Sequence, residues 1–381
     1  MDAGLSVGSL LLSLPGLVIW IVILLLPWRP WSVRESLDAS NTPTNLDLSK
    51  ITVLIPARNE ESVISETLDA LAAQGNGLRI ILIDDQSDDN TAVIAQNRQF
   101  QNLEIIQGKM LPEGWSGKLW ALEQGKEKAD TEYILLLDAD IKLKPGILPT
   151  VLQKFEDTQL DMLSLMACLR MENFREKLLM PAFIFFFKLL YPFKLSNSEN
   201  PLVAAAAGGF ILIRKNRLET IGAFGSLRHS LIDDCSLARE VKKSGGKTWI
   251  GLTHSVISLR EYNNLQSIWD MVARTAYTQL GYSISILLLC TLLMVASFPA
   301  PVISIFSGNI FSNACGTLTL IIMYLCYFPT LKYYNVQPGW GFLLPVIGTV
   351  YLCMTWTSAW RHWFKSGARW KNREYSSPVH K

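Results

Sequence analysis

Three stretches of the chain share one pattern, an apolar and largely β-branched or leucine run that gives way to polar residues. They run from Val53 to Glu61, from Ile80 to Asp88 and from Tyr133 to Asp140. Short apolar runs closed by turn-forming residues read as strands. Ser62 to Ala73 has the apolar spacing of a helix, Leu78 to Ile83 is the next strand, and Leu103 to Ile106 and Tyr133 to Leu137 continue the alternation. Strand and helix in turn predict an α/β domain, a mostly parallel sheet of Rossmann-like type with helices on both faces. Its strand ends then open on one crevice, where such sheets bind ligands.

A different pattern brackets this region. Leu10 to Leu26 is almost purely apolar, close to the roughly 20 residues that span a hydrocarbon core. Only Asp2 precedes it, so the basic start of a signal peptide is missing and a retained anchor is expected. Arg29 and Arg34 follow it, which places the N-terminus outside and residue 28 onward in the cytoplasm. Three further apolar segments, Ser283 to Phe306, Ala314 to Leu331 and Phe342 to Trp360, are each long enough to cross. Counting four crossings puts the C-terminus outside, yet Arg361, Lys365, Arg369, Lys371 and Arg373 make it strongly basic. Charge and count disagree. A re-entrant or interfacial segment reconciles them, and Pro299 and Pro301 make the first of the three the candidate for a break.

Composition adds little beyond this. With 49% hydrophobic residues and a net charge of +2, the chain is a membrane protein with a polar middle, and no basic stripe interleaved with aromatics points to nucleic acid. The six cysteines include no CxxC pair, which suits a reducing cytoplasm, and His229, His254, His362 and His380 have no metal-binding spacing. Pro181 to Phe193 is short and carries Lys188, as an interfacial helix would. The expected organisation is an anchor over 1–28, a linker over 29–49, a catalytic domain over 50–280, membrane helices over 281–363 and a basic tail over 364–381.

The chemistry-bearing residues sit at the strand ends. Asp138 and Asp140 close the Leu135-Leu136-Leu137 run, and one intervening residue on an extended segment puts both side chains on one side. Two such carboxylates suit a hard cation, Mg²⁺ or Mn²⁺, that leaves positions for phosphate oxygens; acids in a solvated turn are the plain alternative. Gly114-Trp115-Ser116-Gly117-Lys118 opens a helix, and a lysine there opposes the helix dipole unless an anion is near. The GxxxxGK[ST] spacing of a Walker loop is absent. Ala204 to Phe210 is small and apolar, leaving backbone open to a ligand or to close packing, and Asp233-Asp234 opens a helical run through Lys242. Asp88 or Asn90 is placed to cap the helix through Ala95.

Taken in order, Pro56-Ala57-Arg58-Asn59-Glu60, Asp84-Asp85-Gln86-Ser87, Gly117-Lys118, Asp138-Ala139-Asp140, Gly208-Gly209 and Asp233-Asp234 resemble an inverting glycosyltransferase of family 2. Within it the chain resembles the membrane-bound glycosyltransferases associated with hopanoid biosynthesis, themselves similar to ceramide glucosyltransferases. The resemblance covers roughly residues 50 to 280. It implies a nucleotide sugar as donor, a UDP-sugar first, with Asp84 or Asp85 on the nucleoside and the Pro56, Arg58, Glu60 loop along it, Arg58 toward phosphate and Glu60 toward the ribose. Lys118 and Asp138 would meet the diphosphate, Asp138 and Asp140 the metal, Gly208, Gly209 and Asp233 the acceptor, and Asp234 would be the base. The family's QxxRW motif survives only as Arg274, in Met271-Val272-Ala273-Arg274-Thr275. Arg274 either neutralises the leaving diphosphate or anchors at the membrane edge, and the missing Gln and Trp speak against polymer synthesis.

The implied reaction is a single displacement onto a lipid acceptor reached from the cytoplasmic leaflet. Two alternatives stand: a synthase that charges a polyprenyl phosphate with sugar, and a catalytically silent nucleotide-binding scaffold.

Overall fold

The computed structural model describes residues 7–40, 47–98, 100, 102–228, 230, 232–364, 368–370 and 373–375. Their contacts form two compact units, one of 1–34, 171–192 and 262–369, the other of 35–170, 193–261 and 370–381. A contiguous domain over 50–280 is therefore corrected: 171–192 and 262–280 group with the apolar helices.

The second unit is built on an eight-stranded sheet. Its strands are β1 Ile51–Ala57, β2 Arg79–Asp84, β3 Leu103–Gln107, β4 Tyr133–Leu137, β5 Ile141–Leu143, β6 Met162–Cys168, β7 Phe210–Arg214 and β8 Thr248–Ser258, in the order β3-β2-β1-β4-β7-β6-β8-β5. The four strands β1 to β4 run parallel. β7 runs against β4 and β6, and β5 against β8, so the sheet is mostly parallel as the alternation predicts.

Alternation along each strand divides the core into two layers. Val53, Ile55, Ile80, Leu82, Tyr133 and Leu135 join one cluster with Ile64, Leu68 and Leu71 of helix Ile64–Ala72 and with Phe155 of helix Ile147–Asp157. Leu54, Ile81, Ile83, Ile134 and Leu136 join the other, with Leu119 and Leu122 of helix Gly117–Lys126 and Leu237 and Val241 of helix Asp233–Lys243. Both faces are thus buried, which is why these strands read as continuous apolar runs.

The described part of the expected linker is ordered onto β8. Leu37 N donates to Leu252 O, and Leu252 N to Glu35 O. Asp38 accepts from the His254 amide and from the hydroxyls of Thr253 and Ser255. The expected linker is thus tied down through one carboxylate by Thr253 and Ser255 of β8.

The first unit contains three helical segments long and apolar enough to cross a membrane, Ile284–Ile305, Ile310–Tyr333 and Pro338–Trp363. The N-terminal helix Val7–Leu25 is shorter in its apolar part, Leu11–Leu25. The first long segment breaks at Phe298, before Pro299, as the prolines predict. Helix Phe174–Leu190 also belongs to this unit and begins seven residues before the Pro181 at which the sequence reading started it. Phe185 stacks near Trp20, and Lys188 is 1% exposed with its ammonium on the Ser32 carbonyl.

The last helix returns to where the first long one begins. Arg361 Nη2 lies 2.5 Å from Asp270 Oδ1, Tyr277 N donates to Ser358 Oγ at 3.0 Å, and Trp356 Nε1 donates to Thr291 Oγ1 at 2.9 Å. At the opposite end of the pair Gly348 faces the Phe298 ring, where a Cβ would come within 2.4 Å of Cγ. Helices Ile284–Ser297 and Leu344–Trp363 are therefore antiparallel neighbours.

Candidate active site

The parallel register brings the ends of β1, β2 and β4 to one edge of the sheet. β7 enters from that same edge because it is antiparallel, and its register sets Phe210 opposite Leu137. The Asp138 amide donates to Gly209 O at 3.1 Å. Topology, rather than nearness in sequence, places Gly208-Gly209 beside Asp138.

Three carboxylates converge here on one ammonium. Lys118 Nζ lies 2.6 Å from Asp138 Oδ1 and donates to Gly208 O at 3.2 Å. Burial lowers the lysine's affinity for its proton, but Asp138, then Asp233 and Asp234, outweigh it, so the pKa is raised. Asp138 supplies the anion that a lysine in the first turn of helix Gly117–Lys126 needs.

Asp233 and Asp234 open helix Asp233–Lys243, where carboxylates suit the positive end of the dipole. Burial and then the neighbouring Asp233 push the Asp234 carboxyl up to about 6, opposed by the Cys235 amide, Lys118 and the Gly208 amide. Asp234 Oδ1 accepts from Cys235 N at 2.7 Å. Gly208 explains how the groups fit together, since a Cβ there would lie 3.3 Å from both Asp234 Oδ2 and Lys118 Nζ.

Asp138 and Asp140 do not lie on an extended segment. Ile141 N donates to Asp138 O, which makes Asp138-Ala139-Asp140 a turn between β4 and β5. The side chains are sorted by burial instead: Ala139 is in the core and the two acids are half-buried. Among the described residues no three His, Cys, Asp or Glu side chains group as a metal cage. Two carboxylates on a turn, with negative charge in excess of the single ammonium, nevertheless fit a divalent cation that takes its other ligands from a bound diphosphate.

The loops after β1 and β2 are laced together. Arg58 Nη1 donates to Asp85 O at 2.6 Å and Gln86 O at 2.9 Å, Asn59 N to Ser87 Oγ, Asp88 N to Asn59 Oδ1 and Glu60 N to Thr91 Oγ1. Arg58, expected toward phosphate, spends its guanidinium holding carbonyls. Pro56 is a buried strand residue, and Asp84 and Asp85 are only 3% and 1% exposed. Ser87 N donates to Asp84 Oδ1 at 3.3 Å. The cap expected from Asp88 or Asn90 comes from Asp89, whose Oδ1 accepts from Thr91 N; Asn90 is the N-cap residue but makes no side-chain cap bond. Thr91 and Asp89 were not singled out from sequence, where the polar run from Asp84 to Asn90 offers several equivalent caps.

Arg274 ends helix Leu265–Ala273 in the other unit and donates its amide to Asp270 O.

Residues 52–222 match the family model for glycosyl transferase family 2. Over that stretch, a little under half of its length, the chain is similar to family 2 glycosyltransferases. A stretch of 116 residues is 30% identical to the 4,4'-diaponeurosporenoate glycosyltransferase of Staphylococcus aureus, covering 29% of this chain and 30% of that protein. This chain therefore spans less than a third of the curated relative it matches. A mannosyltransferase of Pyrobaculum calidifontis, solved with GDP-Man and Mn²⁺, has the same fold with a TM-score of 0.57 at 15% identity, over 94% of this chain and 99% of its own. The matched region includes Asp138, Asp140, Lys118 and Gly208, while Asp233 and Asp234 follow it.

Proposed function

We propose that the protein is a membrane-bound inverting glycosyltransferase that moves a sugar from a nucleotide sugar to a lipid-type acceptor. The observation that carries this reading is the convergence of Lys118, Asp138, Asp233 and Asp234 at the sheet edge of a family 2 domain. The apolar helices and the name of the Staphylococcus aureus relative support a lipid acceptor, a hopanoid or other glycolipid precursor.

In this mechanism Asp138 and Asp140 hold Mg²⁺ or Mn²⁺, a choice supported by the Mn²⁺ and GDP-Man of the Pyrobaculum calidifontis enzyme. When bound, the cation offsets charge on the diphosphate. Asp84 or Asp85, with the Pro56, Arg58 and Glu60 loop, holds the nucleoside; Arg58 does so by fixing the Asp85 and Gln86 backbone. Lys118 meets the diphosphate. Gly208, Gly209 and Asp233 line the acceptor side. Asp234 takes the proton of an acceptor hydroxyl as that oxygen bonds to the anomeric carbon and the bond to phosphate breaks, with inversion. A carboxyl titrating at about 6 is ionised at neutral pH and is a stronger base than an ordinary aspartate.

The compound in the relative's name, diaponeurosporenoate, is a carboxylate, which favours a second reading in which the acceptor arrives ionised and needs no base; a polyprenyl phosphate would react in the same way.

We place the domain in the cytoplasm. The Arg361–Asp270 pair supports an even number of crossings between these residues, with one apolar segment re-entrant. The basic C-terminus then lies on the side that Arg29 and Arg34 favour, and charge and count agree. Calorimetry tests the donor site: nucleotide-sugar affinity should fall with EDTA and in Asp140→Ala. Equal affinity in all three conditions contradicts the metal assignment.

A further inference from the structure

Resting on the donor and metal reading above, we propose that Lys118 is the resident counter-cation of the carboxylate cluster. It must leave Asp138 before a divalent cation settles there, so metal and nucleotide load together. Three facts carry this. The ammonium sits 2.6 Å from Asp138 Oδ1, on an oxygen a metal would need. It is drawn there by three carboxylates rather than one. It perches on Gly208, whose carbonyl accepts from it and where a Cβ would crowd Nζ at 3.3 Å.

An ammonium and a divalent cation on one carboxylate repel strongly at such distances. The cation alone must therefore break the Lys118–Asp138 ion pair, leaving the ammonium the longer-range attraction of Asp233 and Asp234 and its bond to Gly208 O. A diphosphate changes the balance. It gives the ammonium an anion of its own, and the lysine's flexible four-carbon stem allows the transfer. Nucleotide then raises metal affinity, and by linkage metal raises nucleotide affinity by the same factor. Lys118 thus acts as a positioning residue for the metal as well as a donor contact, and it guards the site against cations that arrive without nucleotide.

The test is Mn²⁺ binding by the full chain in detergent, read by the electron paramagnetic resonance signal of free Mn²⁺, without nucleotide and then with UDP or GDP. Wild type should bind Mn²⁺ weakly alone and about tenfold tighter with the matching nucleotide. Lys118→Met should bind Mn²⁺ about tenfold tighter than wild type without nucleotide, and gain little from adding it. Lys118→Gln, whose amide still donates toward Gly208, carries the same expectation if the methionine variant does not fold. If Asp138→Asn loses Mn²⁺ but neither Lys118 variant binds it more tightly than wild type, the guarding role is wrong and the metal site stands. If Asp138→Asn binds Mn²⁺ as wild type does, the metal site itself is wrong and both fall.

Discussion

Asp234 is seated against Gly208, with room between them for a hydrogen but not comfortably for a methyl. A Cβ at Gly208 would stand 3.3 Å from Asp234 Oδ2, tighter than most such contacts, and equally close to the Lys118 ammonium. Both neighbours are ends of side chains and can give by a few tenths of an ångström. Gly208→Ala should therefore leave the melting temperature nearly unchanged while lowering kcat roughly tenfold, since small displacements of reacting groups are costly. A large loss of stability with normal turnover would show that the glycine serves packing alone.

The raised Asp234 carboxyl predicts the shape of the pH profile. The base acts only when ionised, so kcat/KM should rise with pH through about 6 and level off above it. Lys118 lowers that pKa, and Lys118→Met should move the limb to higher pH in whatever turnover it retains. A flat profile between pH 5 and roughly 8 would point to an acceptor that needs no base. The same shift has a stability sign. A carboxyl whose folded pKa is raised holds its proton more tightly when folded, so ionising it costs stability as pH rises through about 6. Asp234→Asn should be as stable as wild type or more so at neutral pH.

The Arg361–Asp270 pair makes the topology testable in cells. Cysteines introduced at Ser87 and at Ser376, which lies outside the described residues, should both resist a membrane-impermeant thiol reagent on intact cells and react after permeabilisation. Labelling of Ser87→Cys on intact cells would overturn the cytoplasmic placement. Labelling of Ser376→Cys alone would restore an odd number of crossings.

Much of the sheet was legible because its signal is local. Buried on both faces, β1, β2 and β4 announce themselves as apolar runs, and the acids after them mark the strand ends. The order of β7 between β4 and β6 was not legible, and with it the reason Gly208 meets Lys118 and Asp234: reversal of one strand is a tertiary fact. Asp138 and Asp140 were found by a spacing argument that assumed extended backbone, whereas a turn holds them. Arg58 looked like a phosphate ligand because sequence shows a charge but not the Asp85 and Gln86 carbonyls that occupy it. The partner of Lys188 was hidden for the same reason, the Ser32 carbonyl being 156 residues away.

Transfer itself is the claim on which the rest depends, and the mass of a product tests it. Purified full-length protein, a panel of UDP- and GDP-sugars, Mg²⁺ or Mn²⁺ and a membrane lipid extract should yield a lipid heavier by one sugar residue. Asp234→Asn should still bind donor but form that product on the order of a hundredfold more slowly, the usual contribution of a positioned base. No glycosylated lipid from any donor in the panel, or an Asp234→Asn variant as fast as wild type, would contradict the account.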